Sequence, residues 1–323
     1  MPWHRFGIGF ETFTKAVPRH RTPRRYIILN IAPDIADAIR DHRPVVALES
    51  TVIAHGLPRP QNLQTAHRLQ EVVREGGAAP ATIAVIGGKL TVGISDDEIR
   101  LLAEKPDIRK ISTRDIPLAV AQGWDGATTV ASTIWIAHRA GIKVFATGGI
   151  GGIHRGSLPD VSADLPELAR TPIAVVCSGA KIVLDLPATR EWLETHAVTI
   201  VGYQCNELPA FYSRGSGLPV DACADDAAAV ANIFRAQRDL GIESALLVVV
   251  PVPAKFEVPA EELQQVLTTA LEDAEWKGIS GPALTPFLLS QMAERSGGVT
   301  LRANIALLEN NARIAAQIAR ELV

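Results

Sequence analysis

Residues 142–149 read IKVFATGG, a short run of Ile, Val and Phe that ends in a threonine and two glycines. Its apolar residues sit side by side rather than at alternate positions, the pattern of a strand buried on both faces. The same pattern recurs at VVALEST (45–51), TIAVIGG (82–88), IAVVCSG (173–179), VTIVGY (198–203) and ALLVVVP (245–251). Helical spacing fills the intervals. Over 62–75, Leu63, Ala66, Leu69 and Val73 share one face, and Gly76-Gly77 stop the turn. Ser95 with Glu98 three residues later reads as a capping box opening a helix through Leu101 and Leu102. Near the end of the sequence, Leu301, Ile305, Leu308, Ala312 and Ala315 recur at helical spacing. Strands alternating with helices predict an α/β protein, a three-layer α/β/α sandwich with a central, largely parallel or mixed sheet. No stretch of 44–323 resembles a linker or a repeat, so residues 31–323 are expected to form one domain.

Composition narrows the function classes. Apolar residues make up 47% and charged residues 21%, ordinary for a chain with a full core. A formal charge of −3 supplies no global field for nucleic acid. No apolar run approaches the roughly 18 residues of a membrane-spanning helix, so no membrane partner is expected. The three cysteines, Cys177, Cys205 and Cys223, form neither an even set nor a CxxC pair. That fits a reducing, cytoplasmic setting rather than a disulfide framework. Residues 1–30 carry Arg5, Lys15, Arg19, Arg21, Arg24 and Arg25 against one acid, Glu11, and lack the apolar core of a secretory signal. They read as a basic, poorly ordered extension.

In an open α/β sheet, ligands sit beyond the carboxyl ends of the strands. Glu49 directly follows Val45–Leu48; desolvation there favours a carboxyl that holds and transfers a proton, or else one that merely accepts bonds from Ser50 or Thr51. Lys181 follows the strand at 173–177 and a turn of small residues. It is either a solvated surface group or an amine nucleophile toward an aldehyde-like carbon. Lys110 suits a point charge on a phosphate. Thr147, Gly148 and Gly149 open a glycine run that continues to Gly152 and is followed by His154 and Arg155. It reads as a tight loop whose N–H groups can cradle an anion, although it is neither a Walker loop nor a dinucleotide fingerprint. Asp160, Ser162 and Asp164 place oxygens at alternating positions, suited to a hard divalent cation or to capping a helix from Leu165. Asn304 falls on the apolar face of the last helix, where a buried amide must find partners as a structural bridge or in a site.

The strings VVALESTVIAHGLPRPQN (45–62), GATTVASTIWIAHRAGIKVFATGGIGGIHRG (126–156), VSADLPELA (161–169), VVCSGAK (175–181) and TPFLLSQMAE (285–294) resemble the pseudouridine-5′-phosphate glycosidases, also called the indigoidine-synthase-A-like family. The resemblance implies that Glu49 is a proton donor, Lys181 a covalent nucleophile and Asp160 a ligand to Mn²⁺ or another divalent cation such as Mg²⁺. It implies that Lys110, Val130, Ser162, Ala163 and Asp164 touch substrate and that the chain forms a homotrimer with an α/β/α core. The implied reaction is reversible cleavage of a ribosyl-uracil phosphate to uracil and ribose 5-phosphate. A C-glycoside-forming enzyme of a C-nucleoside or pigment pathway, and a catalytically dead ribose-phosphate-binding protein, are the alternatives. The chain departs from the family in three places. Only Ser157-Leu158-Pro159 separate Gly156 from Asp160, and Val250 and Ala254 stand where the family carries Asn and Glu. The last two put the natural substrate, rather than the reaction type, in question.

Overall fold

The structure, a computed structural model, describes residues 29–155, 160–279, 281 and 284–323. The expected basic extension lies almost wholly outside these residues; its last part enters strand β1. Thirteen strands follow in chain order: β1 Leu29–Ile31, β2 Val45–Leu48, β3 Ala79–Ile86, β4 Lys89–Val92, β5 Arg109–Ile111, β6 Gly126–Thr128, β7 Val144–Ala146, β8 Ile153–His154, β9 Ala174–Cys177, β10 Leu184–Asp185, β11 Thr199–Tyr203, β12 Ala222–Ala224 and β13 Leu246–Val249. The helices are α1 Pro33–Arg40, α2 Gln61–Glu75, α3 Asp96–Glu104, α4 Ile116–Gln122, α5 Val130–Ala140, α6 Asp164–Leu168, α7 Leu186–Thr195, α8 Ala227–Asp239, α9 Ala260–Trp276, α10 Leu284–Arg295 and α11 Val299–Glu321.

All six strands expected from their apolar runs are present. They form the spine of one mixed sheet in the order β1-β4-β3-β2-β7-β9-β13-β11-β12. From β3 through β12 every neighbouring pair is parallel. Four of these strands, β2, β7, β9 and β13, are buried at every position because helices cover both faces. On one face α11 packs over β2, β7 and β9 between α2 and α8; on the other, α5 crosses β2, β3 and β4. This is the three-layer arrangement read from the sequence. Ser95 does cap α3: its hydroxyl accepts from the Glu98 N–H while the Glu98 carboxylate accepts from the Ser95 N–H. No helix among the described residues is long and apolar enough to cross a membrane.

The antiparallel strands were not legible in the sequence, and they shape the site. The first half of β3 pairs with β2, up to the Leu48–Thr82 partners. Beyond it, Ala84 and Val85 pair antiparallel with β6 instead. The sheet therefore forks where β2 ends. Ser50 seals the fork, its hydroxyl donating to the Ile83 carbonyl at 2.7 Å and accepting from the Thr128 N–H at 2.8 Å. Past that seam the chain turns outward, and a cavity opens.

Candidate active site

A cavity of about 560 Å³ lies beyond the ends of β2, β5, β6, β7 and β9. Every candidate residue named from the sequence borders it. Glu49 leaves β2 with 7% exposure. Thr147 Oγ1 donates to one of its carboxylate oxygens and Thr51 Oγ1 to the other, so two hydroxyls fix the plane of the group. The carboxylate does accept bonds locally, from Thr51 as the sequence offered and from Thr147 as well, and these bonds orient a group that lines the cavity.

Lys181 faces the same cavity and is half-buried. Its backbone is pinned on both sides, by donation from its N–H to the Ile150 carbonyl at 3.1 Å and acceptance from the Leu184 N–H at 3.0 Å. The turn before it needs Gly179, which sits at φ +81° with its α-carbon face against the Pro209 carbonyl. A methyl there would collide with backbone, not with a side chain that could swing away. Lys110, the middle residue of β5, shares the field of Lys181, Asp164 and Glu49. Burial first, and the Lys181 charge second, push its pKa below the ordinary lysine value, partly offset by Asp164 and Glu49. Its side chain still reaches water in the open mouth, so this field is partly screened.

The glycine run does something other than cradle an anion along its whole length. A side chain at Gly149 would lie 2.7 Å from the Phe211 ring, and one at Gly148 would press on Leu307 and Leu308 at 3.2 Å. Gly151 has Ser162 and Asp164 against it, and its N–H donates to Asp164 Oδ2 at 2.7 Å. The Ile150 N–H goes to the Gly179 carbonyl, and the Thr147 hydroxyl goes to Glu49. The run is glycine chiefly because the loop threads between packed neighbours. Thr147, Gly148 and Gly149 nonetheless form the cavity floor.

The D-x-S-x-D stretch also divides. Asp164 is buried, and its two oxygens accept from the Ala131 N–H at 2.9 Å and the Gly151 N–H. It caps α5 across space rather than its own helix α6, where Ser162 Oγ accepts from the Asp164 N–H at 3.2 Å. Asp160 is exposed at the cavity rim. Val130 opens α5 behind its cap Thr129, so that helix N-terminus borders the cavity. Val130 and Ala163 offer a ligand only backbone groups. His154, on β8, stands half-exposed in the wall.

Asn304 and Asn311 stand at different places on α11. The bridging amide is Asn311, fully buried, which donates to the Thr147 carbonyl at 2.8 Å and to Ser178 Oγ at 3.1 Å, tying the ends of β7 and β9 to α11. Asn304, two turns earlier, reaches the cavity. Asn311 escaped the sequence reading because an amide among alanines carries no motif. So did Thr129, Phe211 and His55, and the α10 residues Thr285, Pro286 and Leu289 that close one wall. Of the other residues at the cavity, some were in view from the sequence; Thr51, offered by the sequence as a bonding partner of Glu49, is one. Val250 is buried, its N–H donating to the Cys177 carbonyl at 2.8 Å, and Ala254 is exposed; neither lines the cavity. Ser157-Leu158-Pro159 lie outside the described residues.

For a divalent metal the donor set is sparse. Among the described residues no three His, Cys, Asp or Glu side chains converge. Within the stretch that suggested a metal, Asp164 accepts from two backbone N–H groups, whereas Asp160 stands at the rim. One carboxylate at a wet rim fits a hard cation such as Mg²⁺ or Mn²⁺ that keeps several waters and takes its other ligands from a phosphate-bearing substrate. It does not fit a structural zinc site, which needs four protein ligands.

Comparison with known proteins bears on this site. The family model described as indigoidine synthase A like protein matches residues 34–321. A pseudouridine-5′-phosphate glycosidase of Caldanaerobacter subterraneus is 47% identical over 296 residues, covering 91% of this chain and 96% of the relative. The protein of the same name from Escherichia coli K12 is 49% identical over 297 residues, covering 91% and 95%. Among solved structures, the prealnumycin C-glycosynthase AlnA in complex with ribulose 5-phosphate superposes with a TM-score of 0.84 at 40% identity, covering 91% of this chain and 97% of that one. An indigoidine synthase A-like protein from Thermotoga maritima gives 0.84 at 38% identity, covering 92% and 97%.

Proposed function

The chain belongs to the indigoidine synthase A-like family, and from that premise we propose that it reversibly cleaves pseudouridine 5′-phosphate, with water, to uracil and ribose 5-phosphate. The observation that carries this reading is the convergence of Glu49 and Lys181, a carboxyl and an amine from two different strand ends, on one cavity. A C-glycoside is difficult to break because its base would have to depart as a carbanion. Protonating the base carbon removes that difficulty, and an amine nucleophile supplies the electron push. In the proposed sequence, neutral Lys181 Nζ bonds to C1′ as the C1′–O4′ bond breaks, and the proton that Nζ sheds on bonding passes to O4′, which leaves as a hydroxyl. The nitrogen lone pair then expels C5 of uracil, which takes its proton from Glu49. Water hydrolyses the remaining imine to ribose 5-phosphate and the free amine.

Lys110 and the α5 N-terminus at Val130 would hold the phosphate, with Thr147, Gly148, Gly149, Ser162 and Ala163 shaping the sugar subsite. Asp164 keeps the α5 terminus and the glycine loop in register. His154 and Asn304 offer further hydrogen bonds from the walls. Asp160 would carry Mn²⁺ or Mg²⁺, which when bound neutralises phosphate charge. The chain's other groups orient the sugar and so convert binding energy into alignment. A homotrimer is proposed with this reading, and sedimentation of the purified protein at a single trimer mass would test it.

Turnover is tested by following ultraviolet absorbance of purified protein with uracil, ribose 5-phosphate and Mn²⁺. Formation of pseudouridine 5′-phosphate is expected; no product in either direction would refute the assignment. The 40% identity to a C-glycosynthase favours one second reading, the joining of a ribose phosphate to another ring. It is distinguished by product from a different aromatic acceptor in the absence of any from uracil.

A further inference from the structure

Strands β7 and β9 keep step until their carboxyl ends. The Ala174 N–H donates to the Lys143 carbonyl at 2.9 Å and the Thr147 N–H to the Val176 carbonyl at 3.0 Å. The next rung of a regular parallel ladder would carry the Ser178 N–H to the Thr147 carbonyl. It goes instead to the Gly148 carbonyl, at 2.8 Å, and parallel pairing resumes at Ile150 with Ala180. The Thr147 carbonyl is thereby cut out of the ladder, and a buried carbonyl needs a donor. Among the described residues its one hydrogen bond comes from Asn311 Nδ2 on α11, at 2.8 Å. That nitrogen also meets the Gly148 carbonyl at 3.4 Å and Ser178 Oγ at 3.1 Å. Carbonyls only accept, so the two of them fix which end of the amide faces the break.

The break falls at the residue that holds the acid. The Thr147 hydroxyl donates to the Glu49 carboxylate and ties it to a second strand, whereas Thr51 lies two residues along the same chain. An interrupted ladder re-aims the side chains beside it. Asn311 itself is fully buried and does not border the cavity, so any effect on the reaction passes through the groups it holds. Resting on the function proposed above, we infer that Asn311 is a positioning residue for protonation of the base: by capping the carbonyl freed at the break, it fixes the Thr147 backbone so that the hydroxyl holds the Glu49 carboxyl toward the cavity. With the amide removed, the regular rung from Ser178 can close on the Thr147 carbonyl, which turns that peptide and carries the hydroxyl off Glu49.

The test is a double-mutant cycle on kcat for cleavage of pseudouridine 5′-phosphate. Asn311→Leu should lower kcat by about 10–100-fold, the scale of a misplaced reacting group. In a Thr147→Val protein the same change should cost less than about twofold, because its route to Glu49 is already cut. Undiminished loss on top of Thr147→Val would overturn the inference, since a general structural defect multiplies rather than vanishes. Borohydride trapping of ribose 5-phosphate on Lys181 does not use Glu49, so the adduct yield should stay within about twofold of the parent's. A yield that falls along with kcat would place the effect on Lys181 or on the fold and refute the inference. Asn311→Ala, which removes the amide without adding bulk, is read in the same way should the Leu protein not fold. A crystal structure of the folded variant gives a readout independent of the reaction: the Thr147 hydroxyl is expected to have left Glu49, and an unchanged bond would overturn the inference. If the parent protein neither turns over nor traps, the functional reading fails, while the crystal structure still decides whether Asn311 holds Thr147 on Glu49.

Discussion

The inner and outer walls of the cavity are built on different principles. The inner wall is made from strand ends. Glu49 is held by two threonine hydroxyls, Lys181 stands on a turn that only glycine can make, and Asn311 laces the two strand ends to α11. The outer wall is made from rim groups, Asp160 and Arg114, both open to water, and from α10. The groups assigned to bond breaking sit on the rigid side, and the groups assigned to charge neutralisation sit where solvent and ions can exchange. Precision in bond making needs fixed atoms, whereas phosphate and metal recognition tolerates water-filled coordination.

That contrast can be broken by substitution. The largest effects belong to the inner wall: Lys181→Ala should abolish turnover, and Glu49→Gln should lower kcat by about 10²–10⁴-fold, the usual worth of a positioned general acid. Unchanged melting curves should accompany both losses. Loss of folding in either variant would recast these residues as structural. Next comes Gly179→Ala, which sets an L residue at positive φ and a methyl against the Pro209 carbonyl. A loss of roughly 2–4 kcal/mol is expected by chemical denaturation, from left-handed strain plus overpacking. A stability within error of the parent would show that the turn relaxes easily, contrary to a rigid inner wall.

The outer wall should respond more gently. Asp160→Asn should leave the fold intact and raise the Mn²⁺ concentration needed for half-maximal activity by about 10-fold, with much of the rate recovered at saturating metal, since waters and substrate supply the other ligands. A metal dependence identical to the parent's would remove Asp160 from the metal site. The smallest effect is expected at Lys110. Its folded pKa lies below the unfolded value, so between the two the unfolded chain binds more protons and stability rises with pH. Lys110→Met should therefore raise Tm slightly at pH 7 and leave the gain smaller near pH 10, while weakening ribose 5-phosphate binding. A Tm that falls equally at both pH values would contradict this sign.

The same division explains what the sequence revealed. Strands β2, β7, β9 and β13 were legible because burial on both faces leaves an unbroken apolar run, and Glu49, Thr147 and Lys181 were legible because they follow those runs at the carboxyl end. The fork at β3 was not, since β4 and β6 are too short to show a period and the β6 side of the fork is held by Ser50 and Thr128 meeting across the seam. Asp164 illustrates a subtler limit. Its spacing suggested a cation ligand or a cap for the adjoining α6, yet its carboxylate serves α5 and the glycine loop, a choice made by tertiary packing alone.

Borohydride trapping tests the central claim most directly: the protein is incubated with ribose 5-phosphate, reduced, and mapped by peptide mass spectrometry. The account predicts one pentose-phosphate adduct, located on Lys181 and absent from Lys181→Ala. An adduct located instead on Lys110, or no adduct from a protein that still turns over substrate, would contradict it.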